Sequence, residues 1–214
     1  MTQYAYIFDL DRTLYPLDHP LFGHIWDIVD NAMMEKTGLR REEVRAKLKA
    51  YKEQKLDSFK SLAEEYAFEL SDILIYPRHL DYGLLKPCVE TRQLISNLSA
   101  KTKVVYTDAI AEHAELALSR LHLRDLFDAV YDIHFSDYDA KGVRDCFSHV
   151  LEDMQVEAEE CVMIEDSESN LKVAKSMGMR TVLLTKDFEN KLDFVDEIAS
   201  DLPTWLRTES ERVE

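Results

Sequence analysis

Four short apolar runs punctuate this chain, at residues 4–8, 104–106, 161–164 and 181–184, and the first and third run directly into acidic residues. Runs of this length read as buried strands. Between the later ones, apolar residues recur at helical spacing. Helices are predicted over 88–98, 109–121 and 167–177, and Gly178 supplies a stop for the third. Strand and helix alternating in this rhythm predict an α/β fold, with a parallel sheet covered by helices on both faces.

Residues 17–83 break the rhythm. Ile25, Ile28, Val29, Ala32 and Met33 fall on one helical face; so do Val44, Leu48 and Tyr51, and again Phe59, Leu62, Ala63 and Tyr66. No strand pattern interrupts them, so an all-helical insertion after the first strand is expected. Residues 207–214 are mostly charged and are expected to form a loosely held tail.

The length of 214 residues suits one α/β domain carrying a modest insertion. With 26 basic against 42 acidic residues the net charge is −16, which argues against a nucleic-acid polymer as partner. Small anionic substrates remain open to it where local cations or a metal offset the field. Cys88, Cys146 and Cys161 are scattered and give neither a disulfide framework nor a zinc knuckle. Residues 1–8 lack a basic flank, and no apolar run approaches the ~20 residues of a membrane span. A soluble, cytoplasmic protein without a membrane partner is the expectation.

Four features carry candidate chemistry. Asp9 and Asp11 follow the first strand, and residues i and i+2 of an extended segment point the same way. Two adjacent carboxylates invite a hard cation such as Mg²⁺. Thr107 ends the second strand, where a hydroxyl can hydrogen-bond an oxyanion. Lys141 precedes a helix that would include Phe147, and an ammonium is a good point charge for phosphate. Glu165 and Asp166 follow the third strand and could complete a metal site with Asp9 and Asp11. Each feature alone also reads as a turn, a helix cap or a surface charge, the commoner reading for a lone Thr107 or Lys141. Together they place an acid pair, a hydroxyl, a lysine and a second acid pair along one sheet rim. That set is what phosphoryl transfer through a carboxylate needs.

The segments DLDRTLYP, VVYTD, Lys141 and CVMIEDSESNLKVAKSMGMRTVLL resemble the four motifs of the haloacid-dehalogenase (HAD) superfamily of phosphohydrolases. FDLDRTLYP, the helical insertion and EDSESNLKVAKSMGM are most similar to its pyrimidine 5′-nucleotidase branch. The resemblance implies a Rossmann-like three-layer core over 1–16 and 84–206, with a helical cap over 17–83 that closes on the site and selects the substrate. It further implies that Asp9 is the nucleophile, forming an aspartyl-phosphate, and that Asp11 is the general acid and then base. Mg²⁺ would be held by Asp9, the Asp11 backbone carbonyl and Asp166, with Glu165 nearby. Thr107 and Lys141 would hold the phosphoryl oxygens. The implied substrate is a small phosphorylated metabolite, with nucleoside 5′-monophosphates the first choice.

Three residues depart from that pattern. Arg12 stands where the branch has Asn, Asp108 where Asn commonly follows the Thr, and Gly142 where Pro follows the Lys. Arg12 could contact an anion or form a structural ion pair; Asp108 could repel phosphate. Tyr15, His19, His24 and Trp26 open the insertion and could stack on or hydrogen-bond a base. A sugar-phosphate phosphatase or mutase of the same superfamily uses the same groups. A phospho-accepting switch would place its aspartate on a later strand and carry no insertion, and a silent binding protein would lack one of Asp9, Asp11 or Asp166.

Overall fold

A computed structural model describes residues 3–54, 56–135, 141, 146–189 and 192–213. Six strands form one parallel sheet: β1 (Ala5–Phe8), β2 (Thr102–Tyr106), β3 (Ala129–Tyr131), β4 (Cys161–Glu165), β5 (Arg180–Leu184) and β6 (Glu197–Ala199). Their spatial order is β3-β2-β1-β4-β5-β6. The central strands are apolar throughout because both faces are covered. Tyr6, Phe8, Val105, Val162, Ile164, Val182 and Leu184 pack on one face, against α4 (Val89–Asn97), α5 (Ala111–Leu121) and α8 (Leu202–Val213). Ala5, Ile7, Val104, Tyr106, Cys161, Met163 and Leu183 turn to the other, against α6 (Phe147–Met154) and α7 (Glu168–Met177). The period-2 alternation of a strand thus divides each apolar run between two cores. Glycine is needed where α7 stops: Gly178 has φ 105°, a conformation that costs other residues strain.

The edge strands β3 and β6 were not expected. Each is only three residues long, and β6 contains Glu197, which pairs with Arg180 of β5. Strands this short carry too little periodicity to be read from sequence.

Between β1 and α4 lie α1 (Pro20–Thr37), α2 (Arg41–Glu53), α3 (Ser58–Tyr66) and three short 3₁₀ turns. Ile25, Val29, Ala32, Met33, Val44, Leu48 and Leu62 form a hydrophobic cluster of their own, closed by Ile73 and Tyr76. Trp26 is used inside this unit, with the Arg45 guanidinium 4.7 Å above its ring and Phe59 beside it. His19 caps α1 by accepting from Leu21 N–H at 3.2 Å, and His24 is exposed.

The loosely held tail is corrected. Helix α8 continues to Val213, and its Glu209 is fully buried, taking hydrogen bonds from Tyr6 (2.8 Å) and Arg180 (2.7 Å). A charged segment stays ordered when its charges are paired, and Arg207 also pairs with Glu90. Among the described residues no helix is long and apolar enough to cross a membrane.

Candidate active site

The chain runs β1, β2, β3 to one side and then crosses to β4 on the other side of β1. Ligands in such sheets bind where the strand order reverses, beyond the carboxyl ends. Asp9 follows β1, Thr107 follows β2, and Glu165 and Asp166 end and follow β4 at this point. Parallel register holds them level, with Phe8 opposite both Val105 and Ile164.

Lys141 is 1% exposed and sits between two of these acids. Its Nζ donates to Asp9 Oδ1 at 2.7 Å, to Glu165 Oε2 at 2.9 Å and to the Tyr106 carbonyl at 2.9 Å. Burial opposes its charge, but Asp9, Glu165 and Asp108 hold it well above the usual lysine range. Glu165 is buried too, yet Lys141 and the Asn170 amide at 3.0 Å keep it below the usual range. Its other oxygen accepts from the backbone N–H groups of Asp166 (3.0 Å) and Ser167 (3.1 Å). Asp9 bears the excess charge: burial, then Glu165 and Asp166, push its pKa well above normal despite Lys141. Burial and Glu165 likewise push Asp166 up to about 7, against the Arg12 guanidinium.

One carboxylate oxygen from each of Asp9, Glu165 and Asp166 lies within 4.8 Å of the others. An all-oxygen, charged donor set with unbalanced negative charge fits a hard divalent cation. The Asp11 side chain is not in that group. Its Oδ1 takes hydrogen bonds from Tyr15 (2.5 Å) and from His113 Nε2 (2.8 Å). Burial favours its neutral form, but His113 and Tyr15 outweigh burial and hold its pKa below normal. Thr107 is buried; its Oγ1 accepts from Ala109 N–H at 3.1 Å, so its own proton is free to donate elsewhere.

The departures find partners. Arg12, at φ 67°, places Nη1 2.8 Å from Asp166 and Nε 3.1 Å from the Leu17 carbonyl, with its guanidinium over Phe22 of α1. It forms a structural ion pair. Asp108 Oδ1 accepts the Lys141 backbone N–H at 3.0 Å, which ties down the lysine. Gly142 lies outside the described residues. Tyr15 reaches Asp11, a role different from base stacking.

Sequence reasoning missed His113. A histidine on the amphipathic helix α5 reads as core, and only the packing of α5 beside the β1 loop shows that it faces Asp11. Tyr82, whose hydroxyl is 2.8 Å from His113 Nδ1, was missed for the same reason.

The model of the haloacid dehalogenase-like hydrolases matches residues 5–178, a span containing every residue of this site. The chain belongs to the haloacid dehalogenase-like hydrolases. Phosphate metabolism protein 8 of Saccharomyces cerevisiae is 26% identical over 220 residues, covering 89% of this hydrolase and 68% of the yeast protein. A HAD phosphatase from Thermococcus onnurineus superposes with a TM-score of 0.62 at 20% identity, over 96% of this chain and 97% of that one. The HAD-hydrolase YfnB from Bacillus subtilis, solved bound to magnesium, gives 0.63 at 17% identity, over 98% and 99%. At such identities the structures share a fold with this hydrolase and do not choose its reaction.

Proposed function

We propose that this hydrolase is a Mg²⁺-dependent phosphomonoesterase acting through an aspartyl-phosphate on Asp9, with a pyrimidine nucleoside 5′-monophosphate as first candidate substrate. The observation that carries the reading is the division of labour between the two aspartates. Asp9 lies in the acid cluster against a buried ammonium, while Asp11 is held apart on donors of its own.

Asp9, Asp166 and the Asp11 backbone carbonyl would hold the cation, with Glu165 organising the loop behind them. Bound there, Mg²⁺ supplies the positive charge that lets an anionic nucleophile meet an anionic phosphate. Asp9 attacks phosphorus, and the bond from phosphorus to the leaving oxygen breaks. Asp11 passes its proton to that oxygen; a phosphate dianion arriving beside the carboxyl raises its affinity for the proton it needs. Lys141 and the Thr107 hydroxyl steady the phosphoryl oxygens. Asp11, now a carboxylate, takes a proton from water, which attacks phosphorus and releases Asp9 and phosphate. The helical insertion over 17–83 acts as a cap that excludes water and contacts the leaving group.

The test is phosphate release, with Mg²⁺, from pyrimidine and purine 5′-monophosphates, sugar phosphates and pyridoxal phosphate. Preference for UMP or CMP, lost on chelation and in Asp9→Asn, is expected. Full activity in Asp9→Asn would sink the mechanism, and flat activity across the panel would remove the nucleotide preference. A phosphoryl group retained on the product, with no free phosphate, would point to a mutase.

A further inference from the structure

Both donors to Asp11 converge on one of its two oxygens. Tyr15 and His113 each bond Oδ1, at 2.5 and 2.8 Å. Among the described residues, nothing hydrogen-bonds Oδ2. For a residue that must carry a proton in one half-reaction and collect one in the next, this asymmetry has a chemical meaning. A carboxyl group whose Oδ1 is a permanent acceptor keeps its mobile proton on Oδ2.

The ring orientation that this needs is also built in. His113 is fully buried on α5. With Nε2 turned to Asp11, Nδ1 is the ring's other polar atom, and a fully buried Nδ1 needs a partner. The Tyr82 hydroxyl stands there at 2.8 Å. Burial and the nearby Asp11 charge raise the Tyr82 pKa, so that hydroxyl keeps its proton. Tyr76 packs edge-on against the imidazole with ring centroids 5.4 Å apart, and its own hydroxyl accepts from Ile110 N–H at the start of α5. The ring is therefore held in one orientation by Tyr82 and Tyr76, both contributed by the helical insertion.

We propose that His113 is a positioning residue for Asp11, holding Oδ1 as acceptor so that Oδ2 alone faces the leaving group and exchanges the proton. The inference rests on the phosphatase reading above. In the first step the proton leaves Asp11 Oδ2 for the leaving oxygen as the P–O bond breaks. In the second, Oδ2 takes a proton from water as the water oxygen bonds to phosphorus and the Asp9–phosphorus bond breaks. His113 holds Oδ1 in both steps and takes no part in the transfer itself.

The measurement is kcat/KM for two esters that differ in their need for a proton: p-nitrophenyl phosphate, whose phenolate leaves readily, and the alkyl phosphomonoester cleaved fastest in the substrate panel. The variants are His113→Asn, too short to reach Asp11, and His113→Gln, whose amide N–H stands near the Nε2 position. His113→Asn is expected to lose about tenfold to a hundredfold on the alkyl ester, with a change below about threefold on the aryl ester. His113→Gln should keep the alkyl-to-aryl ratio within about threefold of the parent. In an Asp11→Asn background, His113→Asn should add no further selective loss, because both act through one carboxyl. A purely structural role would lower both esters together. That result, or His113→Gln behaving like His113→Asn, overturns the proposal while leaving the phosphatase reading intact. Failure of the unmodified protein to hydrolyse either ester overturns that reading and this inference with it.

Discussion

Replacing Lys141 by Met tests whether the buried ammonium is the counter-charge on which the metal-free site depends. Met fills nearly the same volume, so little cavity is created. The hydrogen bonds lost are those to Asp9 (2.7 Å), Glu165 (2.9 Å) and the Tyr106 carbonyl (2.9 Å). Glu165 keeps Asn170 and two backbone N–H groups. Asp9 does worse, since among the described residues Lys141 is its side-chain donor. Lys141 is only 1% exposed, so water does not screen the loss. Breaking one side of a buried pair costs about 3–5 kcal/mol. At a urea slope of about 1–3 kcal/mol/M, this is a midpoint shift of about 1–5 M, read in EDTA. The pH dependence has a definite sign. Asp9 already has a raised folded-state pKa, and losing Lys141 raises it further, so the folded variant binds this proton more tightly than the unfolded chain. Its stability therefore rises as pH falls through that pKa. The parent meanwhile loses the Lys141 attraction once Glu165, whose folded pKa is depressed, is protonated. The deficit should be largest at about pH 7–8, some three to four units above the usual carboxylate range, and narrow toward about pH 4, where that range lies. Millimolar Mg²⁺ should recover part of it, because a cation that binds only the folded site stabilises by mass action. A deficit below about 1 kcal/mol at pH 7.5, or one that widens toward pH 4, would refute the reasoning.

Two further outcomes follow from the geometry. With the Asp166 pKa pushed up to about 7, Mg²⁺ must displace a proton below that pH. Calorimetric titration should show apparent affinity falling by up to about tenfold per unit below pH 7 and levelling above it, and a flat profile between pH 5.5 and 8.5 would count against this assignment. Truncation after Leu206 removes Glu209 from Tyr6 and Arg180, leaving Arg180 with Glu197. Urea unfolding should register a loss of about 3–5 kcal/mol, whereas a loosely held tail would cost almost nothing.

Much of this architecture was legible along the chain, because the signals concerned are local. The apolar runs of β1, β2, β4 and β5 report burial on both faces, and the spacing of Ile25, Val29, Met33, Val44 and Leu48 reports one helical stripe per segment. Asp9, Thr107, Glu165 and Asp166 could be assigned to one rim because each directly follows or ends a strand, and parallel strands put such positions at the same edge. Features that depend on distant neighbours were not legible. The strands β3 and β6 exist because a sheet edge was there to pair with, and the charged end of α8 is ordered because Tyr6 and Arg180 meet Glu209 across the fold. Likewise Arg12 became an ion-pair partner only when β4 brought Asp166 to it. The clearest case is His113, which lies 102 residues from Asp11 in sequence and 2.8 Å from it in space. Periodicity states which face of α5 is buried; what that face meets is fixed only when the helix packs against the sheet and insertion. The sequence determined the four inner strands, the insertion and the candidate site residues at the sheet rim, while tertiary packing decided which oxygen of Asp11 is held, because only packing brings Tyr15 and His113 to it.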